Sequence, residues 1–479
     1  MLFNSLEFAI FLPIVFLIYL LLLVKNYKSQ YLLIFISSYI YYGWWDMKFL
    51  SLIFLSTLVD YYVGLHIAKT NNPKKKKLLL WVSLSTNLGL LGFFKYQNFF
   101  IENFTSAFSL FGQDIKASGL NIVLPVGISF YTLQTLSYTI DIYKGKIAPI
   151  KDFIAFASFV SFFPQLVAGP IERGKNLIPQ FCSPRKFTYN RAVDGMRQIL
   201  WGLFCKLVIA DNCAVYVNDI YTNYLDYSGS TLLLGAVLFS FQIYGDFSGY
   251  SHIAIGTANL FGFKLMRNFA YPFFSQDTAE LWRRWHISLT TWFRDYIYLP
   301  LAMRGRRGSN LIKIRDVFVV FMITGFWHGA SWTYIFWGAL NAIYVLPSVL
   351  LKRNRNVDII AQGKLFPSLK QLVNIILTFM LFTFACILFR SSSIAQAFDY
   401  IREIFSPSLF DLPEVQPKKL ILIIALFTLF EWVNKERLYA FANVDKIKNL
   451  FLRWSMYLVT IGFIFYFMAE QQRFIYFQF

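Results

Sequence analysis

Twelve apolar runs recur along this 479-residue chain, at 8–24, 31–46, 48–66, 78–94, 122–143, 196–222, 231–262, 316–332, 333–351, 371–390, 418–434 and 451–470. A helix needs about 17–25 residues to cross the hydrocarbon core of a bilayer, whereas a membrane barrel strand alternates apolar and polar residues over about ten. The runs therefore predict an all-α integral membrane protein with about 12 transmembrane helices. Composition agrees. Hydrophobic residues make up 57% and charged residues 15%, against about 25% charged in a soluble domain, and mean hydropathy is +0.50.

A formal net charge of +19 has a membrane explanation, because Lys and Arg collect in loops retained in the cytoplasm. Membrane lipids, and no nucleic acid, are the expected surroundings. Lys25 and Lys28 place the first loop inside, as do Lys69 and Lys74 to Lys77 the third. The connection 264–315 holds ten basic residues against three acidic, whereas 391–416 sets Asp399, Glu403, Asp411 and Glu414 against Arg402. Alternation then leaves both termini outside. The opening Met1-Leu-Phe-Asn-Ser-Leu-Glu7 lacks the basic start of a cleaved signal, so the first run is read as a retained helix.

Segment 153–169 is apolar, yet Lys144, Lys146 and Lys151 precede it and Arg173, Lys175 and Arg185 follow. Both flanks favour the cytoplasm, so it is expected to be re-entrant or interfacial. Phe163-Pro-Gln-Leu-Val-Ala-Gly-Pro170 supplies the break, and irregular backbone at that depth requires protein or a water-filled cavity around it. No internal repeat is apparent, so residues 1–479 are read as a single membrane domain. Four cysteines without metal-type spacing and four histidines without a His/Glu cluster support no metal site. Cys205 and Cys213 are read as small apolar filler.

Polar residues inside the runs need reasons, since an unpartnered one costs several kcal/mol there. His328 sits in Thr324-Gly-Phe-Trp-His-Gly-Ala-Ser-Trp332. It could take a proton from a hydroxyl nucleophile; a structural histidine bonded to a carbonyl or to Ser331 fits equally well. In Leu281-Trp-Arg-Arg-Trp-His-Ile-Ser-Leu289, the spacing predicts a helix with Trp282, Trp285, His286 and Leu289 on one face. With Arg283 and Arg284 it suits an aromatic-belt helix at lipid phosphates or a site for a phosphate-bearing donor. Asp246-Phe-Ser-Gly-Tyr250 places a carboxylate in an apolar helix. Asp246, Ser248 and Gln165 are read as a structural polar network that His252 could join. The aromatic end, Phe474-Ile-Tyr-Phe-Gln-Phe479, reads as an interface anchor with Tyr476 among its rings.

Taken together, these segments resemble the membrane-bound O-acyltransferase superfamily, specifically its bacterial alginate O-acetyltransferase-like branch, which includes the membrane components of peptidoglycan O-acetylation. The resemblance runs from Met1-Leu-Phe-Asn-Ser through Pro164-Gln-Leu-Val-Ala-Gly-Pro-Ile-Glu172, Asp246-Phe-Ser-Gly-Tyr-Ser251, Trp282 to Tyr298 and Gly325-Phe-Trp-His-Gly-Ala330 to the terminal motif. It implies helices around a central tunnel, a catalytic core within 122–390, and His328 at the catalytic histidine with His286 as the second characteristic polar position. It also implies a cytoplasmic donor, acetyl-CoA, and delivery to extracytoplasmic peptidoglycan or an alginate-like exopolysaccharide. A separate secreted or membrane-anchored SGNH-type transferase completes that delivery in relatives, at the bacterial cytoplasmic membrane.

On this footing Arg283 and Arg284 would meet the donor, and Trp285, Trp327 and Trp332 would shape the passage. A similar aromatic motif on a small partner in teichoic-acid D-alanylation makes Tyr476 a candidate acyl carrier. His252 stands where relatives often show Asp, and Asn341 where many show His, so no role is carried over to either. Three rivals remain at this point: a D-alanyl donor on the same fold, a transporter of an acyl or saccharide intermediate, and a scaffold that only recruits the transferase.

Overall fold

The structure is a computed structural model that describes the chain except for residues 23–26, 110–118, 120–121, 168, 305–308, 352–358, 469–471, 473 and 476–479. Among the described residues every regular element is helical. The chain divides into two compact units, Met1–Gly195 with Thr257–Met266, and Met196–Gly256 with Arg267–Phe479.

The first unit contains α1 (Leu6–Leu22), α2 (Tyr27–Gly43), α3 (Leu50–Lys69), α4 (Pro73–Leu91), α5 (Gln97–Ser109), α6 (Ile128–Tyr143), α7 (Phe153–Ser161), α8 (Phe163–Leu166) and α9 (Gly174–Phe181). Asn72 opens α4 by accepting the N–H groups of Lys74 and Lys75, with Pro73 in the first turn. A π-helical turn, Gly92–Tyr96, carries α4 into α5, so that 37 residues run as one helix from Pro73 to Ser109. That is longer than the predicted 78–94. Lys, Gln and Asn lower hydropathy beyond residue 94 without stopping a helix.

Asp60 on α3 is fully buried, and its carboxylate accepts from Ser83 Oγ, from Asn87 Nδ2 at 2.8 Å and from Thr139 Oγ1 at 3.3 Å. A carboxylate in such surroundings is tolerable because several donors meet it. Segment 153–169 is broken at Phe162, and every residue from Ala155 to Val167 is buried. The amides of Gln134 and Gln165 both donate to Phe159 O, at 2.7 and 3.2 Å. Gln165 therefore serves the broken helix.

The boundary between the units falls within α10 (Tyr189–Phe204) and α12 (Gly229–Leu260). The second unit adds α11 (Asp211–Thr222), α13 (Thr278–Arg284), α14 (Ile287–Phe293), α15 (Leu299–Arg304), α16 (Asn310–His328), α17 (Trp332–Leu350), α18 (Leu369–Arg390), α19 (Ile394–Ile404), α20 (Lys418–Val433) and α21 (Leu450–Phe467). A π-helical turn, Cys205–Ala210, joins α10 to α11. Each of the twelve apolar runs contains a helix, and seven helical stretches of the described chain are both long and apolar enough to cross a membrane. Shorter helices such as α1 and the broken pair α7–α8 accompany them.

Two close approaches set the interior of this unit. A Cβ at Gly202 of α10 would meet Gly249 O of α12, and one at Gly249 would meet Gly202 O. Main chain touches main chain there, which is how small residues let membrane helices pack without a hydrophobic driving force. In the same way, a Cβ at Gly325 of α16 would strike Tyr334 O and one at Gly338 of α17 would strike Phe321 O. The second approach closes a tight helical hairpin whose tip carries His328.

Candidate active site

His328 is the last residue of α16, just before the extended Gly329, and only 5% of it is exposed. Ser331 caps α17 by accepting Thr333 N–H at 3.3 Å. Three rings from three helices stand around the imidazole: Trp327 at 5.0 Å between centroids, Trp337 at 5.3 Å and Phe389 at 5.4 Å.

His286 reaches the same neighbourhood from a different element. The predicted single helix over 281–289 does not form. α13 ends at Arg284, Trp285 is extended, and His286 adopts the left-handed conformation at φ 43°, ψ 53° before α14 begins. The reason is tertiary: Ala270 N–H donates to Arg284 O and Ile287 N–H to Asn268 O, so the 268–270 stretch takes hydrogen bonds that a continuous helix would use. A left-handed non-glycine residue is strained, and such strain persists only where the surroundings enforce it.

His286 is 2% exposed, and its Nδ1 lies 3.1 Å from Asn268 Oδ1. The same oxygen accepts the main-chain N–H of Ser288 at 3.3 Å, and Asn268 Nδ2 donates to Ser251 Oγ at 3.0 Å. Because a main-chain N–H can only donate, the Asn268 atom facing it must be the oxygen. His286 consequently carries its proton on Nδ1, and the neutral ring holds its lone pair on Nε2. Its face meets Phe247 at 4.5 Å, and Trp327 touches both imidazoles, lying 6.3 Å from His286.

The flanking residues divide sharply. Arg284 is buried in an ion pair with Glu280 and donates to Ala270 O, so it holds the break in place rather than facing a donor. Arg283 has its Nε and Nη2 buried without a hydrogen bond among the described residues. Trp285 is buried against Phe382 and Phe269, and Trp327 is buried between the histidines' rings. Trp332, by contrast, is 49% exposed as the first residue of α17. The tryptophan that α17 turns toward His328 is Trp337, about a turn and a half further on. His252 bonds Gln198 at 3.2 Å and takes no part with Asp246. Asn341 donates back to Trp337 O at 2.8 Å.

Asp246 has a partner that the sequence reading passed over. Lys206, on the π-helical turn, is 1% exposed and lies 2.7 Å from Asp211 and 2.8 Å from Asp246. The signal was available, since a lysine in an apolar run is rare and calls for an opposite charge. Ser248, also on α12, is buried. The terminal segment completes the Lys206 cluster: Ile475 N–H donates to Asp246 Oδ2 at 2.7 Å, and Lys206 Nζ donates to Gln472 O at 3.2 Å. Phe474 and Ile475 are buried, with Phe474 packed on Tyr250 and Phe247. Phe474 and Ile475 thus lie in the protein interior instead of at a lipid interface; Tyr476 itself is outside the described residues.

The described chain is thus a many-helix membrane protein with one buried histidine at a hairpin tip and a second on an enforced kink. The sequence profile of the MBOAT, membrane-bound O-acyltransferase family matches residues 32–394. The chain belongs to that family and is a membrane-bound acyltransferase. It is 34% identical to a probable alginate O-acetylase of Pseudomonas aeruginosa over 91% of this chain and 83% of that protein. It is 32% identical to the peptidoglycan O-acetyltransferase of Helicobacter pylori over 100% of this chain and 98% of that protein. Similarity to the teichoic acid D-alanyltransferase of Streptococcus thermophilus, 31%, covers 49% of this chain and 59% of that protein.

Proposed function

We propose that this acyltransferase moves an acetyl group from acetyl-CoA on the cytoplasmic side to a hydroxyl on the far side, for O-acetylation of peptidoglycan or an alginate-like exopolysaccharide. The carrying observation is the placement of His328 and His286 against one ring, Trp327, at the junction of α13–α14 with the α16–α17 hairpin. Full-length similarity to acetylases, against half-length similarity to D-alanyltransferases, favours acetyl over D-alanyl. A bare scaffold leaves both histidines without a task; a transporter could use buried His and Asp as a proton relay, but the missing repeat and the Trp-His-Gly motif argue against it.

Acetyl-CoA supplies an acetyl thioester. His328 takes the proton of the acceptor hydroxyl as its oxygen attacks the thioester carbonyl, and returns it to the departing thiolate. His286, with its proton fixed on Nδ1, orients the reacting groups through Nε2. Arg283 offers buried guanidinium donors of the kind that suit phosphate, and it sits in the 264–315 connection, whose basic charge favours the cytoplasmic side. The remaining elements of the reading are a bacterial cytoplasmic membrane, both termini outside, and a secreted or membrane-anchored SGNH-type transferase that completes delivery.

Tyr476 is the acceptor favoured by one observation: the residues just before it, Phe474 and Ile475, are buried, and Phe474 touches Phe247, itself against His286. On this reading the tail tyrosine receives the acetyl group as a phenyl ester and passes it on. His328→Ala protein that inserts normally is expected to lose acetyl transfer, and wild-type acetylation in that variant would sink the proposal. Mass spectrometry of the C-terminal peptide with donor present tests for acetyl-tyrosine, and full transfer by Tyr476→Phe excludes the relay.

A further inference from the structure

We infer that Lys206 and Asp246 are positioning residues that clasp the C-terminal segment and make it a resident part of the reaction centre. The inference rests on the acyltransferase reading above and assigns a task to a charged cluster that the chemistry does not otherwise use.

The clasp is built in three layers. The first is the π-helical turn Cys205–Ala210, an insertion of the kind that recurs at functional sites. Its displaced carbonyls are taken up by Asn212, whose Nδ2 bonds Leu207 O and Val208 O, and also Phe467 O at the end of α21 at 2.8 Å. One asparagine thus ties the turn to the helix from which the tail departs. The second layer is charge. Lys206 faces two buried carboxylates, and ionisable groups held away from water need every hydrogen-bond partner within reach. The third layer is the tail, which supplies such partners from its main chain: Ile475 N–H donates to Asp246, while Gln472 O accepts from Lys206.

Both polar contacts go to main-chain atoms of the tail and grip it independently of its side chains. Phe474, between them, enters an aromatic recess formed by Tyr250 and Phe247, and Phe247 packs edge-on against His286. A structural ion pair inside a helix bundle needs no chain terminus. Here the terminus is a ligand of the cluster, and the cluster lies one aromatic ring away from the histidine.

The test uses full-length protein in lipid nanodiscs with the exposed Cys182 replaced by serine and Gln472→Cys as a reporter, a background first shown to retain transfer. Lys206→Met breaks the clasp from the cluster side. Ile475→Pro breaks it from the tail side, removing the donated N–H while leaving the ion triad untouched, which covers the case in which Lys206→Met does not fold. Ile475→Val and Lys206→Arg are the conservative controls. The expected result is maleimide labelling of the reporter thiol at least about tenfold faster in both breaking variants, with kcat lowered about tenfold and KM for acetyl-CoA within about twofold, and wild-type behaviour in both controls. Unchanged labelling, or fast labelling with unchanged kcat, overturns the clasp. Labelling reports the tail directly, so a Tyr476→Phe variant that transfers normally would remove the tyrosine relay while leaving the clasp to be judged by its own readouts.

Discussion

Asn268 Oδ1 lies 3.1 Å from His286 Nδ1 and sets the tautomer of a ring that the backbone already holds in a left-handed conformation. The asparagine's own orientation is fixed by the Ser288 N–H, so a main-chain group ultimately decides which imidazole nitrogen carries the proton.

It follows that Asn268→Leu should lower kcat by on the order of 10–100-fold, the range for removing a partner that orients a functional histidine. Asn268→Asp should do less harm, because a carboxylate oxygen still accepts from Nδ1. Steady-state kinetics on protein shown to insert normally checks both. Equal losses in the two variants would count against tautomer control.

The two neighbouring arginines should separate cleanly. Arg283→Ala is expected to raise KM for acetyl-CoA with little effect on the amount of folded protein. Arg284→Ala strands the buried Glu280 carboxylate and should cost about 3–5 kcal/mol of stability. Thermal denaturation in detergent, read beside the kinetics, distinguishes a binding loss from a folding loss.

The hairpin that carries His328 tolerates no added methyl at its crossing. Gly338→Ala would set a Cβ against Phe321 O, and the helices must separate at a cost of about 1–3 kcal/mol or more. A lowered melting temperature together with lost transfer is the expected pair of results, since separating α16 from α17 also moves His328 away from Trp337.

Asp445 lies outside the spans, between α20 and α21, and the hydrogen bond that its carboxylate accepts from Arg197 holds it below the usual carboxylate range. A depressed folded value means the contribution is fully present above the unfolded value of about 3.9 and fades as pH falls through the folded one. Asp445→Asn should therefore lower the melting temperature at pH 7, by a small amount given that Asp445 is half exposed. The gap to wild type should close below about pH 4. Melting curves across that range check the sign.

The sequence by itself determined the solvent in which this protein folds and singled out the histidines to which its chemistry is assigned above. Long apolar runs demand helices because no water is present to satisfy a bare backbone, and each of the twelve runs does contain a helix, seven of the described stretches being long and apolar enough to cross. His328 stood out for the same reason: an ionisable ring is expensive in such a run. Cooperative contacts between distant segments were not legible. The kink at His286 overrides a good helical spacing because residues 268–270 compete for its main-chain hydrogen bonds. Trp337 rather than Trp332 faces His328 because the Gly325 and Gly338 crossing fixes the rotation of α17. Lys206 found Asp246 through a main-chain contact between α10 and α12 that only paired glycines allow. Periodicity records which residues a helix can turn to one side; packing decides what meets them there.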